Sequence, residues 1–269
     1  MNLQEGLFTA VIPFIGWLST AVFTNTKRAQ RLRVIGDAFE RVSQQLTNYG
    51  PESNTNQRLI AAVRLRRFFD TDGEYSIREF MTRTCPYEKD ALSVLSALLK
   101  TKFSAEDSSL QKTLADGLAY ANDISGADLQ EADLSNAFLG NKGGGQSMSL
   151  SDIDFYKAKL IRASLKNADC SRAKFVSAEM SESVLSQAKL VGTDFRWANL
   201  ELARFNRADL TNANFEGANL SNANFSDATL TGCIFKDAHL KGARFLNAVD
   251  IPDQVKSHLN SQGVFSGDN

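Results

Sequence analysis

From Leu150 to Phe245 every fifth residue is large and apolar, and neither a 3.6-residue helix nor a 2-residue strand has that period. Of these 20 positions, ten are Leu and eight are Phe, with Cys170 and Met180 as the exceptions. The residue two places earlier is small, Ala at 15 of the 20, with Ser183, Thr193 and Cys233 as near equivalents and Met148 and Ile153 as departures. A short extended segment followed by a corner satisfies this pattern. The fifth residue and its i−2 neighbour then point inward, and i−1, i+1 and i+2 face water. Those outward positions carry Asp, Asn, Lys, Arg, Ser and Gly.

A second period sets the number of sides. Phe155, Phe175, Phe195, Phe215 and Phe235 repeat at a spacing of 20, while Leu165 and Leu185 interrupt the series at a spacing of 10. Four pentapeptides per coil would stack the five rings as one internal ladder, with Leu165, Leu185, Phe205, Phe225 and Phe245 on the opposite side. Ile124, Leu129, Leu134 and Leu139 add one coil, for about six in all. At ~4.8 Å per coil the rod is expected to be roughly 25–30 Å long.

The strings Ala-Asp-Leu (127–129, 132–134, 208–210) and Ala-Asn-Leu or Ala-Asn-Phe (198–200, 213–215, 218–220, 223–225) resemble the pentapeptide-repeat family over about half the chain. The resemblance implies a right-handed quadrilateral β-helix. The fold class expected is thus α+β by segregation, with an apolar N-terminal helix at 1–24 and a small helical bundle at 25–120. The β-helix follows at 121–249, with a capping helix and tail at 250–269. A solenoid's open ends expose apolar faces and unpaired edges, which calls for caps. Ile251, Val255 and Leu259 at i, i+4, i+8 suit one end, and Leu110, Leu114 and Leu118 suit the other.

Leu139 and Leu150 are 11 positions apart, one more than two repeats. A bulge or corner absorbing one residue is one reading. The other is a projecting loop, Asn141, Lys142, Gly143, Gly144, Gly145, Gln146 and Ser147, that touches a partner, since loops on rigid scaffolds often carry function. It is not a phosphate loop, because the lysine precedes the glycines.

Upstream, Ile35, Phe39, Val42 and Leu46 mark one face of a helix, and Asn56 to Phe69 a second helix with an arginine-bearing side (Arg58, Arg64, Arg66, Arg67) read as solvated. Ser76 to Met81 and Tyr87 to Leu99 are read as further helices. Asp70-Thr-Asp72-Gly-Glu74 lacks the glycine and glutamate placement of a calcium loop. Leu7 to Phe23 is 17 residues without a charge, the lower limit for a membrane span, followed by Lys27, Arg28, Arg31 and Arg33. It reads either as an anchor, which would place the body on the cytoplasmic, inner face of the cell membrane, or as a buried helix.

The chemistry expected is sparse. Three cysteines, Cys85, Cys170 and Cys233, are too few and scattered for a disulfide framework, and a reducing compartment follows. His239 and His258 have no nucleophile or metal-ligand spacing around them, so no catalytic residue, metal or cofactor is expected. Asp128, Asp133, Asp154, Asp169, Asp194 and Asp209 recur at i−1 and read as turn residues. The family resemblance implies, as an alternative function, DNA mimicry directed at a topoisomerase such as gyrase. Yet from Leu150 to Phe245 there are 13 bases against 11 acids, a net of +2, which is not a duplex-like anion, and the bases are too sparse for nucleic-acid binding. The expectation is a non-catalytic protein-interaction scaffold for an unidentified protein partner. Oligomeric state stays open: end-to-end pairing into a homodimer is common in such folds, and the tail helix would obstruct it.

Overall fold

The computed structural model describes residues 29–46, 55–65, 68, 77–79, 82–84, 88–100, 108–120, 124, 127–140, 148–253 and 255–257. The segments Leu7–Phe23, Asp70–Glu74 and Asn141–Ser147, together with Cys85, His258 and Leu259, lie outside them. Among the described residues no helix is long and apolar enough to cross a membrane.

Helix α1 (29–46) buries Ile35, Ala38, Val42 and Leu46, one stripe of a 3.6-residue period. Its Phe39 meets Phe68 edge-on at 5.2 Å. Helix α2 (Thr55–Leu65) buries Ala61, Ala62 and Leu65. The arginine side is solvated only in part: Arg64 is exposed, but Arg58 is buried because it shares the stripe 58, 61, 62, 65. The helix expected over Ser76–Met81 is instead the first arm of a hairpin. Strands β1 (Ile77–Glu79) and β2 (Thr82–Thr84) pair antiparallel in the register Ile77↔Thr84, Arg78↔Arg83, Glu79↔Thr82. Thr82 and Thr84, β-branched and at period 2, favour the extended backbone over a helix. Helices α3 (Glu88–Leu99) and α4 (Ser108–Gly117) then bury Leu92, Leu95, Leu98 and Leu99, and Leu110 and Leu114. A 3₁₀ turn (Leu118–Tyr120) leads into the repeats.

From residue 149 onward each residue at i−1 makes a parallel bridge to the residue 20 further on, as in Asp154↔Lys174, Lys174↔Asp194 and Asp194↔Asn214. The four sides are defined by their inward residues: side 1 by Phe155, side 2 by Leu160, side 3 by Leu165 and side 4 by Leu150 and Cys170. In the Phe195 repeat every N–H has an acceptor, as burial of backbone requires. Around Phe195, Asp194 N–H donates back to Ala173 O, while Phe195 and Trp197 N–H donate forward to Asn214 O and Glu216 O. Ala198 N–H closes the turn on Phe195 O. The fifth, Arg196 N–H, donates to the Asp194 side chain at 3.1 Å.

The residue at i+2 sits in the left-handed region, for example Asn167 at φ 60°, Arg207 at 58° and Asn212 at 60°. With the turn-closing bond this is the type II signature. Inside, the Phe155, Phe175, Phe195, Phe215 and Phe235 rings stack with centroids 4.8–5.2 Å apart. Phe205, Phe225 and Phe245 form a second stack at 4.8–4.9 Å, and the two meet edge-on across the rod, Phe195 to Phe205 at 5.8 Å. Cys170 and Cys233 are buried core residues, and burial pushes the Cys233 thiol up to about 12.

The interruption near residue 140 differs from the one-residue bulge expected. Asp133 bridges Lys159 and Phe138 bridges Ser164, an offset of 26, whereas every later bridge has an offset of 20. Leu139 therefore belongs to side 3 and Leu150 to side 4. The interval is one repeat plus six residues, not two repeats plus one. Gly140 marks where the chain leaves the ladder. A Cβ there would lie 3.0 Å from Lys166 N and closer still to Lys166 O, so the approach needs glycine.

The helical module closes the first coil. Interior i−1 N–H groups donate to the preceding coil; the first coil has none before it. Asp133 N–H donates instead to Leu99 O at the end of α3 (2.6 Å), and Phe138 N–H to Asp116 Oδ1 on α4 (2.7 Å). Gln111 Nε2 donates to Asp133 O (2.8 Å) and Ser135 O (3.3 Å). At the other end Val255 is fully buried in a short helix, and Ile251 packs against the core.

Candidate functional site

The interior is filled by Phe, Leu and Ala side chains from Leu129 to Leu230 with almost no exposure, so what this rod can do lies on its outer sides and corners. The six aspartates expected as turn residues hold that role. Asp128, Asp133, Asp154, Asp169, Asp194 and Asp209 each accept the N–H of the residue two places on, at 3.0–3.3 Å. His239 bridges Asn219 on side 2, in line with its outward i−1 place. Among the described residues no group of three or more His, Cys, Asp or Glu is gathered to hold a metal ion.

Charges of opposite sign stand one coil apart. Arg172 holds Asp152 through two bonds of 2.7 Å, and Arg162 holds Glu182 at 2.8 and 2.9 Å. Lys236 reaches Glu216 at 3.0 Å, Lys189 reaches Asp169 at 3.4 Å and Arg207 reaches Asp227 at 3.8 Å. Arg196 pairs with Asp194 within one repeat at 2.7 Å. The arginines beside Asp152 and Glu182 hold both carboxyls below the usual range. Burial alone would raise the Asp169 carboxyl, but bonds from Ser171, Ser151 and nearby Lys189 bring it below its ordinary value. Lys100, bonded to Asp128, lowers that carboxyl in turn. Among the described residues, no basic side chain stands at ion-pair distance from Asp154, Glu179, Glu201 or Asp209.

Sequence reasoning passed over the most unusual outward residues. Trp197 (φ 60°, 61% exposed) and Leu202 (φ 59°, 47% exposed) are the two large apolar residues among the left-handed corner positions. They stand at consecutive corners of one coil. The signal was available: a large apolar residue at i+2, where the repeat otherwise places polar residues or Gly.

The family model described as Pentapeptide repeats matches residues 153–190, 168–207, 178–217 and 208–245. Residues 153–245 are a pentapeptide-repeat domain. Pentapeptide repeats build a right-handed β-helix, and the bridges at a spacing of 20 give this one four repeats per turn. Similar solved structures include a pentapeptide repeat protein from the Arabidopsis thaliana thylakoid lumen. It is 26% identical over 50% of this chain and 74% of that one, with a TM-score of 0.27. HetL, a pentapeptide repeat protein involved in heterocyst differentiation regulation from Nostoc sp. strain PCC 7120, is 24% identical over 47% and 81%, with a TM-score of 0.26. QnrB1, a plasmid-mediated fluoroquinolone resistance protein, is 17% identical over 55% and 87%, with a TM-score of 0.28. Superposition at these scores decides nothing; the architecture rests on the repeat match and the bond pattern. No curated protein matches the chain.

Proposed function

We propose that the pentapeptide-repeat domain is a non-catalytic protein-interaction scaffold, held at one end by its helical module. The observation that supports this most directly is the solid interior: with Phe155 through Phe225 fully buried, binding has only the outer sides and corners to use. Such a surface is regular, rigid and long, which suits recognition of a protein partner. The pairing of acids with bases one coil apart speaks against the alternative, a duplex mimic that occupies a topoisomerase, because a mimic needs its carboxylates unneutralised.

The Leu7–Phe23 segment adds a proposed tether to the inner face of the cell membrane, supported by its 17 uncharged residues and the basic flank after it. Affinity capture on the full chain, followed by calorimetry with the purified partner, tests the scaffold reading. A stoichiometric complex is expected, and binding weakened by deletion of 141–147 would assign the loop a share in it. Turnover of a small molecule by the isolated chain would overturn the reading. Fractionation of the full chain against one starting at Thr24 tests the tether; both remaining in the supernatant would remove it.

A further inference from the structure

Side 2 differs from the other three sides at its centre. Across three successive coils, 177–182, 197–202 and 217–222, it carries Glu179, Glu182 and Glu201 and no Lys, Arg or His, although residues 150–245 together carry 13 bases against 11 acids. Glu182 is held by Arg162, and Arg204 on the neighbouring side adds to its stabilisation. Among the described residues neither Glu179 nor Glu201 forms an ion pair, although Lys159 stands beside Glu179 one coil earlier in the same ladder. In the same column the amides run head to tail toward Glu179: Asn219 Nδ2 donates to Asn199 Oδ1 at 3.1 Å, and Asn199 Nδ2 donates to Glu179 Oε2 at 3.1 Å. The ladder thus ends on an exposed carboxylate, and the panel offers acceptors.

Trp197 and Leu202 bracket this panel at its two corners. Both stay largely exposed, and both occupy the left-handed corner position that polar residues or glycine fill elsewhere in the repeats. The indole has a built seat. Gly217, one coil on, carries no side chain, and a Cβ there would lie only 2.3 Å from Trp197 Cε3, so one ring face rests on the glycine while the residue stays 61% exposed.

The geometry points to a docking surface on side 2, between the Trp197 and Leu202 corners, for a protein segment that presents arginine or lysine between apolar side chains. This deepens the scaffold reading and rests on it. The cation stacks on the open face of the indole and donates to Glu179 or Glu201, while an apolar neighbour covers Leu202. Tryptophan is the strongest aromatic partner for a cation, and Trp and Arg are the residues most enriched among interface hot spots.

The probe is a capped peptide of sequence Leu-Arg-Leu-Arg-Leu, with Leu-Glu-Leu-Glu-Leu as control. Both are titrated into the full-length protein carrying Trp17→Phe, so that emission reports Trp197 alone. The arginine peptide is expected to shift the emission saturably, and added salt to reverse the shift. Glu179→Gln and Glu201→Gln should each weaken binding about two- to fivefold, the range of an exposed charge contact. By calorimetry, Trp197→Asn should lose binding with its melting temperature retained, because asparagine tolerates the left-handed corner. An equal response to the glutamate peptide, or unchanged affinity in the glutamine variants, would overturn the proposal. If the scaffold's captured partner binds Trp197→Asn as tightly as the parent, this surface is wrong while the scaffold stands. If the full chain captures no partner, the scaffold reading itself fails.

Discussion

Replacing Phe195 by alanine removes the central ring of the longer stack. Phe195 is fully buried, stacked on Phe175 at 5.2 Å and Phe215 at 5.0 Å, and edge-on to Phe205 at 5.8 Å. A buried Phe→Ala change costs about 3–5 kcal/mol, and three aromatic contacts, each about 0.5–1.5 kcal/mol beyond burial, place this site at the upper end. Phe245, in the last coil, is 8% exposed, with one stacked neighbour at 4.9 Å and one edge contact at 6.2 Å. Its alanine variant is expected to lose about half as much, roughly 2 kcal/mol. Phe195→Leu keeps most of the volume and should cost only about 1–1.5 kcal/mol. Equilibrium urea unfolding followed by circular dichroism reads all three. Equal losses at Phe195 and Phe245, or a leucine variant as unstable as the alanine one, would show that ring stacking and depth do not set the stability of this rod.

Ser183 is fully buried with no hydrogen-bond partner for its hydroxyl, so Ser183→Ala should leave stability unchanged or raise it by about 1 kcal/mol; a clear loss in thermal melts would contradict that. Asp116→Ala strips the acceptor from Phe138 N–H and should cost about 1–3 kcal/mol, with faster hydrogen exchange at that amide, while Asp116→Asn restores the bond; equal exchange in both variants would exclude the capping role. The Asp128, Asp152, Asp169 and Glu182 carboxyls are all depressed. Their contribution is present above the ordinary carboxylate range and is lost as pH falls below it, through the folded-state values. Melting temperature should therefore be flat from neutral pH down to about 5 and decline below about 4, with Asp128→Asn flattening part of the decline. A DNA supercoiling assay with gyrase should show no inhibition or quinolone protection at stoichiometric amounts of this protein, and either effect would restore the duplex-mimic alternative.

The repeat core was legible because one side-chain class decides each position: the five rings from Phe155 to Phe235 read as one column and stack as one. The turn aspartates were legible for the same reason. The interruption was misread because Leu139 and Leu150 are both inward leucines, and sequence alone does not say which side each occupies. Only the bridge offsets do. The hairpin was missed because three-residue strands are too short to show a period against a helical background. Arg58 was placed outside because charge was weighed above its position on the buried stripe. Nor could local pattern reveal that Gln111 and Asp116 close the first coil, since their partners lie 22 and 24 residues away. At Trp197 the side chain departs from the polar rule of its column, and the departure was visible without being weighed.

The change of offset from 26 to 20 also says something about how this rod tolerates growth. Each side is bonded only to the side directly above and below it, and no bond of the ladder runs around a corner except the one that closes the turn. Extra chain that leaves at one corner and returns at the same corner therefore leaves every stacked pair in place, whatever its length. An insertion of the same size within a side would slide all later residues against their partners and turn leucines outward. Gly140 and Met148 mark such a port, where foreign sequence could be grafted while the rest of the rod keeps its alignment.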